Sequence, residues 1–229
     1  MKYTPGIAIG SASGSIGGTV FSRNRYGPYT RVRAIPVNPN TLAQQNARSR
    51  FSTFSQAWQI LTAPQQLAWK NWAAENPVIN TLGQQQQLTG HSAYVGLNTR
   101  LAQAGDTAID LPPLSPAPVS LVTLTATWDI GAGDFQLVFT ATPLAADDRL
   151  WVQAAVVNSA GITYIKNRLR VVVITAKNQA SLLDTETNIE AVFGSLSAGQ
   201  IVHIWASVFD SATGLLSVPL SVSGTVVST

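Results

Sequence analysis

The chain has 229 residues, of which 45% are apolar and 11% are charged, and its formal net charge is +3. The apolar fraction excludes a wholly disordered chain, and the charged fraction is less than half the roughly 25% of an average soluble protein. The length favours two compact units plus a tail, and the low charge favours self-association because copies repel one another weakly. Cysteine is absent, which excludes disulfides, and no apolar run reaches the about 20 residues of a membrane span.

Charge is distributed unevenly along the chain. Residues 1–50 contain seven basic residues and no acid, whereas residues 111–229 contain five basic and eight acidic residues. A basic N-terminal part and an acidic C-terminal part suit either an anionic ligand or head-to-tail contact between copies. The alternative is that the basic residues are merely solvated.

Residues 1–40 are predicted to be a Gly- and Arg-rich extended arm. The glycines between residues 6 and 18 predict a flexible segment, because glycine loses more backbone entropy on ordering than any other residue. Thr19–Arg23 and Pro28–Ile35 then have the composition of two strands around a turn, which predicts a β-hairpin. A two-stranded ribbon alone is marginal in water, so the arm is expected to need a companion surface.

The arginines and aromatic residues of this arm are the predicted contact residues. Period-two alternation places Arg23 and Arg25 on one side of the first strand, and Arg31 and Arg33 on one side of the second. If those two sides coincide, four guanidiniums lie on one face. The interleaved aromatic residues are Phe21, Tyr26 and Tyr29.

Two partners suit these seven residues. Guanidinium groups pair well with carboxylates of a neighbouring copy, whereas arginines interleaved with aromatics also suit phosphate pairing and base stacking in nucleic acid. We favour the neighbouring copy, because the overall charge is small and no recognisable nucleic-acid-binding module is present.

Residues 41–110 are predicted to be a helical domain. Capping-box patterns begin at Thr41 and Thr62, and a third helix is predicted over His91–Ala104, ended by Gly105. Two apolar stripes predict a helical hairpin whose core contains Trp58, Trp69 and Trp72. The aromatic stripe could instead line a ligand site, but an inter-helix core is the favoured interpretation.

Residues 111–118 contain four prolines and are predicted to be an extended hinge. Over residues 119–229 the hydrophobic period changes to two, and about seven strand-like segments predict an antiparallel β-sandwich of immunoglobulin or fibronectin type III character. Its candidate core anchors are Trp128, Trp151 and Trp205. The predicted fold class is therefore α+β and multi-domain, with a β-ribbon arm, a helical hairpin domain and a β-sandwich.

No catalytic or cofactor-binding set of residues is predicted. His91 and His203 are the two histidines, and His203 lies on a predicted strand, where a packed histidine is the ordinary interpretation. Four turn aspartates could hold Ca²⁺ if they meet at one end of the sandwich, although solubilising turn residues are favoured. These aspartates are Asp129, Asp134, Asp147 and Asp148. The protein is expected not to be an enzyme, and no cofactor or metal is expected.

The first part of the chain carries several spaced motifs. They are Gly17-Gly-Thr-Val-Phe-Ser-Arg-Asn-Arg-Tyr-Gly27, Arg31-Val-Arg33, Pro36-Val-Asn-Pro-Asn-Thr41 with Ala43-Gln44, the Phe51, Trp58, Trp69 and Trp72 series, and Leu88-Thr-Gly90. With these motifs the chain resembles, to about residue 118, an uncharacterised family of bacteriophage, prophage and bacterial proteins. The resemblance implies a virion or assembly component, formed in the host cytoplasm, and transfers no catalytic residue.

The predicted function is therefore that of a non-enzymatic structural protein in a repeated assembly, using its N-terminal arm for subunit contact. The expected partners are other copies of the chain and other virion proteins. One alternative is an extracellular filament or adhesion module whose sandwich binds a glycan through Trp151 or Trp205. Another alternative is a nucleic-acid-binding protein that acts through the basic arm.

Overall fold

The structure is a computed structural model that describes residues 12–24, 27–35, 37–79, 85–131, 135–159, 161–162 and 164–228. This part of the chain has four helices and several antiparallel sheets, which confirms the predicted α+β class. The chain divides into two compact units, of which the first ends at Asn46 and the second begins at Ala47. The domain boundaries expected from the sequence stay predictions. None of the helices in these ranges combines the length and the apolarity that crossing a membrane requires.

The first unit contains a three-stranded antiparallel sheet. Its strands, in spatial order, are β1 (Gly14–Ile16), β2 (Thr19–Asn24) and β3 (Gly27–Val32). Strands β2 and β3 confirm the predicted hairpin. The flexible segment predicted up to residue 18 is wrong over its last residues, because Gly17 and Gly18 form a two-residue turn that pairs Ile16 with Thr19. Gly17 has a φ of +56°, a left-handed conformation that glycine adopts without strain and that such hairpin turns require.

Three helices follow, close to their predicted positions. They are α1 (Leu42–Ile60), α2 (Ala63–Glu75) and α3 (Gly90–Ala104). At the start of α2, Gln65 Oε1 accepts a hydrogen bond of 2.8 Å from the backbone N–H of Thr62, as a capping box requires. Helix α3 ends at Gly105, which has a left-handed φ of 79°. Between α2 and α3, Val78–Ile79 (β4) and Gln85–Gln86 (β5) pair as a short ladder.

The helical core is centred on Tyr94 of α3. The ring of Trp69 is fully buried and lies edge-to-face with Tyr94, with 5.4 Å between the ring centroids. Trp58 packs on the same tyrosine at 5.6 Å, and Trp72 packs on Trp69 at 5.9 Å. The predicted inter-helix core is therefore present, but it involves three helices rather than a two-helix hairpin.

The rest of the second unit is rich in strands. They are β6 (Thr123–Ala126), β7 (Gln136–Thr140), β8 (Asp148–Val157), β9 (Arg170–Ile174), β10 (Leu183–Asp184), β11 (Ile201–Asp210) and β12 (Leu220–Thr225), with helix α4 (Glu186–Phe193) between β10 and β11. One antiparallel sheet has the order β10-β7-β6 and the other has the order β12-β11-β8-β9. Side chains from both sheets, such as Phe139, Val152 and Ile204, share one hydrophobic cluster. A strand expected over Ile162–Ile165 is absent at its described residues.

The three tryptophans expected to anchor the strand region do not all lie in that cluster. Trp128 packs against it, with its ring 5.2 Å from Phe135. Trp151 belongs to a different cluster with Leu101 and Phe209, and Trp205 is half-buried and belongs to neither. The anchor prediction is wrong for these two residues, because the strand alternation gives the core-facing positions to their neighbours.

Candidate functional site

The sheet of the first unit has no buried side chain among the described residues of the range 12–46. Two of its apolar side chains are largely exposed: Ile16 on β1 is 74% exposed and Val32 on β3 is 82% exposed. Beyond β3, Ile35, Val37 and Leu42 are also exposed. This sheet satisfies backbone hydrogen bonds within itself, but it buries no hydrophobic core of its own.

One face of the sheet is largely apolar. The register pairs Ile16 with Thr19 and Thr19 with Val32, so these three side chains project from one face, together with Phe21. We call the side of the sheet that carries these four residues the apolar face. Sequence reasoning missed the contribution of Ile16, although the Gly17-Gly18 pair directly after it is a typical signal for a hairpin turn.

The arginines of the sheet do not form the single row that was considered from the sequence. Arg23 pairs with Pro28 and lies on the apolar face, whereas Arg31 pairs with Val20 and lies on the other face. The backbone N–H of Arg33 donates to Gly18 at 2.8 Å, which continues the same ladder and places Arg33 on the face of Arg31. Four guanidiniums on one face are therefore excluded.

The aromatic residues follow the same division. Phe21 accompanies Arg23 on the apolar face, and Tyr29 accompanies Arg31 on the other face; both aromatic side chains are half-buried. Arg25 and Tyr26 lie outside the described residues. Each face of the sheet thus combines at least one guanidinium with an aromatic ring.

The two outer strands of this sheet are its edges. In the order β1-β2-β3, the outward side of β1 and the outward side of β3 have no neighbouring strand among the described residues. Pro28 lies in β3, and because proline has no N–H it is suited to an edge strand. Open edges are the places where another chain can add a strand to a sheet.

Elsewhere, few polar side chains meet in a way that suits catalysis. The hydroxyl of Ser55 on α1 lies 3.1 Å from Nε2 of His91 on α3, and the ring of Trp58 lies edge-on to His91. Within the described residues no carboxylate bonds to the other ring nitrogen of His91, so the pair lacks the third group that orients a catalytic histidine. Burial lowers the pKa of His203, which faces neutral Ala155 and Ser223 on the adjacent strands.

The turn aspartates do not converge. Asp129 precedes β7 and accepts a hydrogen bond of 2.9 Å from the N–H of Gly131, whereas Asp147 follows β7 and pairs with Lys177 at 3.0 Å. Strand β7 separates the two, and Asp134 lies outside the described residues. In the described part of the chain, no group of three or more His, Asp or Glu side chains is placed to hold a metal ion.

Comparison with protein-family models, with curated proteins and with solved structures gave no match to this chain.

Proposed function

We propose that this protein is a non-enzymatic structural component of a repeated assembly, and that its N-terminal sheet forms the contact between subunits. The observation that carries the proposal is the first unit itself, in which three strands pair but none of the described side chains is buried. Small sheets are stable in water when they pack a hydrophobic face against something else. In the assembly, a neighbouring copy provides the surface on which this hydrophobic face packs.

Both the apolar face and the strand edges suit a protein partner. Contiguous apolar surface that stays exposed on a soluble protein typically marks an interaction site. The apolar face presents Ile16 and Val32 on either side of Thr19, and Arg23 lies on the same side of the sheet at the other end of β2. An apolar centre with a guanidinium at its border fits a partner surface that is apolar and rimmed by carboxylates.

The charge distribution suggests which surface of the neighbour is involved. Residues 1–50 contain no acid, and eight of the eleven acidic residues of the chain lie in residues 111–229. A sheet from one copy that contacts the acidic part of the next copy brings opposite charges together. Such head-to-tail contact repeats from copy to copy, which is what a ring or a filament needs.

The strand region fits a structural module. We propose that residues 119–229 form a β-sandwich of immunoglobulin or fibronectin type III character. If β6 to β12 are named A, B, C, C′, E, F and G in chain order, the two sheets have the orders E-B-A and G-F-C-C′. Those orders agree with the arrangement of strands in immunoglobulin-like sandwiches.

The sequence motifs suggest the kind of particle to which the assembly belongs. Their resemblance to bacteriophage and prophage proteins favours a virion component, put together in the host cytoplasm with other virion proteins as partners. The glycan-binding alternative is less well supported, because Trp151 is only 6% exposed and packs on Phe209. The nucleic-acid alternative is weakened by the separation of Arg23 from Arg31 on opposite faces.

The proposal is tested by changing one exposed residue of the apolar face in the full chain. In Val32→Glu the new carboxylate replaces an 82% exposed side chain, so folding of the chain is expected to be unaffected. Self-association, measured by sedimentation velocity and seen as rings, filaments or particles by electron microscopy, is expected to weaken at least about tenfold. The matched control is Val218→Glu, at a residue of the second unit that is 74% exposed.

Two results would contradict the proposal. One is a wild-type chain that stays monomeric up to its solubility limit. The other is a Val32→Glu chain that assembles as the Val218→Glu chain does. Unchanged far-ultraviolet circular dichroism in both variants shows that the effect concerns assembly and not folding.

A further inference from the structure

The helical part of the second unit contains a cleft with a volume of about 300 Å³. Its walls are mostly apolar and come from Trp72 of α2, Leu88 before α3, Leu97 of α3 and Leu215 from the strand region. The segment of residues 115–117 closes one side. Clefts of this size with apolar walls and few polar groups are the usual form of small-molecule sites.

One charged side chain lines this cleft, that of Arg100 on α3. It is half-buried, and burial lowers the pKa of its guanidinium, with no carboxylate contributing to the shift. In the described part of the chain, no hydrogen-bond acceptor or acid is paired with it. By contrast, Arg149, which is also partly buried, donates three hydrogen bonds to Asp106 and Thr175.

A half-buried guanidinium has lost part of its hydration, and a direct acceptor restores the lost interactions. A carboxylate satisfies it best, since the planar guanidinium donates two parallel hydrogen bonds to the two carboxylate oxygens. The walls of the cleft are mostly apolar, so the remainder of the ligand is expected to be apolar.

We propose that this cleft binds a small carboxylic acid whose apolar body fills the space between Trp72, Leu97 and Leu215 while its carboxylate pairs with Arg100. A volume of about 300 Å³ holds about ten water molecules at about 30 Å³ each, which corresponds to a ligand of about ten to fifteen heavy atoms. Phenylalkanoic acids have this size and this combination of groups. All residues that line this cleft belong to the second unit.

The test is a titration of the isotope-labelled full chain with 3-phenylpropionate, followed by the backbone amide signals in NMR spectra. We expect saturable shifts at Leu88, Leu97 and Leu215. The neutral alcohol 3-phenyl-1-propanol, which has the same body without the carboxylate, is expected to bind at least about tenfold more weakly.

Variants of the arginine separate the proposed pairing from general hydrophobic binding. Arg100→Gln is expected to weaken binding of 3-phenylpropionate at least about tenfold, and Arg100→Lys, which keeps the charge but not the two parallel donors, is expected to have an intermediate affinity. Arg168→Gln, at an exposed arginine, is the matched control and is expected to bind as the wild type does.

Three outcomes would overturn the proposal. They are the absence of saturable binding, equal affinity of wild type and Arg100→Gln, and shifts confined to the neighbouring cleft of Phe51 and Thr99, which Arg100 also lines. If Arg100→Gln fails to fold, the comparison of wild type with Arg100→Lys and with the neutral alcohol decides the same question.

Discussion

Asn98 has no exposed surface, and its carboxamide joins helix α3 to the chain that follows it. Its Nδ2 donates to the carbonyl oxygens of Tyr94 at 3.1 Å and Ile109 at 3.0 Å, and its Oδ1 accepts from the N–H of Ile109 at 2.7 Å. One side chain therefore satisfies both backbone groups of Ile109. This positions the next residue, Asp110, whose carbonyl oxygen accepts a hydrogen bond from Nε1 of Trp69.

The first prediction concerns this amide. Asn98→Ala removes all three hydrogen bonds, leaves part-buried backbone groups of Ile109 without these partners and opens a space in the fully buried site of the amide, so we expect a loss of about 2–4 kcal/mol in the free energy of unfolding. The measurement is the urea midpoint followed by tryptophan fluorescence. Thr99→Ala, next in the helix and without a side-chain hydrogen bond among the described contacts, should cost about 0.5 kcal/mol or less. Similar losses in the two variants would contradict this account of Asn98.

The arginines of the first unit show what a sequence pattern can and cannot establish at the scale of residues. Alternation correctly separates the two sides of each strand. Which side of β2 shares a face with which side of β3 depends on the register of the hairpin. Because Asn24 pairs with Gly27, every odd-numbered residue of one strand pairs with an even-numbered residue of the other. Arg23 and Arg31 are both odd-numbered, and they therefore lie on opposite faces.

At the scale of elements, the helices were predicted better than the strands. The capping residue Thr62 and the stop at Gly105 are local signals that need no knowledge of distant contacts. The short strand β10 lacks such signals, because a strand of two residues forms only when a partner strand is beside it. Nor does alternation indicate which face of β8 meets a helix, and so the pattern predicts the wrong core for Trp151.

Helices α2 and α3 approach closely at Gly90, and this contact gives the second prediction. A Cβ atom on Gly90 would lie 2.8 Å from the backbone nitrogen of Lys70 and 3.1 Å from its Cα, so an alanine there must push the two helices apart. We expect Gly90→Ala to lower the free energy of unfolding by about 1–3 kcal/mol, as overpacking does elsewhere.

Helix α3 contains its own control for that change. A Cβ on Gly96 meets nothing within 4 Å, so Gly96→Ala is expected to stabilise the chain by about 0.5–1 kcal/mol through helix propensity. Both variants are measured by urea denaturation under the same conditions. If Gly90→Ala is as stable as Gly96→Ala, the close approach of the two helices does not constrain residue 90.

At the scale of the whole molecule, residues from Ala47 onward behave as one compact unit because contacts of long sequence separation join its helices to its strands. Leu101 of α3 packs in a cluster with Trp151 of β8 and Phe209 of β11, all three nearly or fully buried. The proline-rich segment between helices and strands carries a clear sequence signal. The contacts between the helices before that segment and the strands after it have no such signal in the sequence, because they form between two surfaces that meet only after folding.

One ion pair reinforces this connection and gives the last prediction. Asp106, just after α3, receives hydrogen bonds from Arg149 of β8 at Nη2 (2.7 Å) and Nε (3.1 Å), and the two side chains are 9% and 17% exposed. Asp106→Asn leaves a partly buried guanidinium without its carboxylate, so we expect a loss of about 2 kcal/mol in the free energy of unfolding.

The control is the exposed pair of the same type, Lys177 with Asp147 at 3.0 Å, whose side chains are 43% and 69% exposed. Lys177→Gln is expected to cost about 0.5 kcal/mol or less, because water and salt screen an exposed pair. Far-ultraviolet circular dichroism, which follows mainly the helices, and tryptophan fluorescence should shift to the same lower midpoint in Asp106→Asn, since helices and strands unfold together. Equal losses in the two variants would mean that the Asp106–Arg149 pair contributes no more than an exposed pair does. Midpoints that separate in Asp106→Asn would contradict the unfolding of helices and strands as one unit.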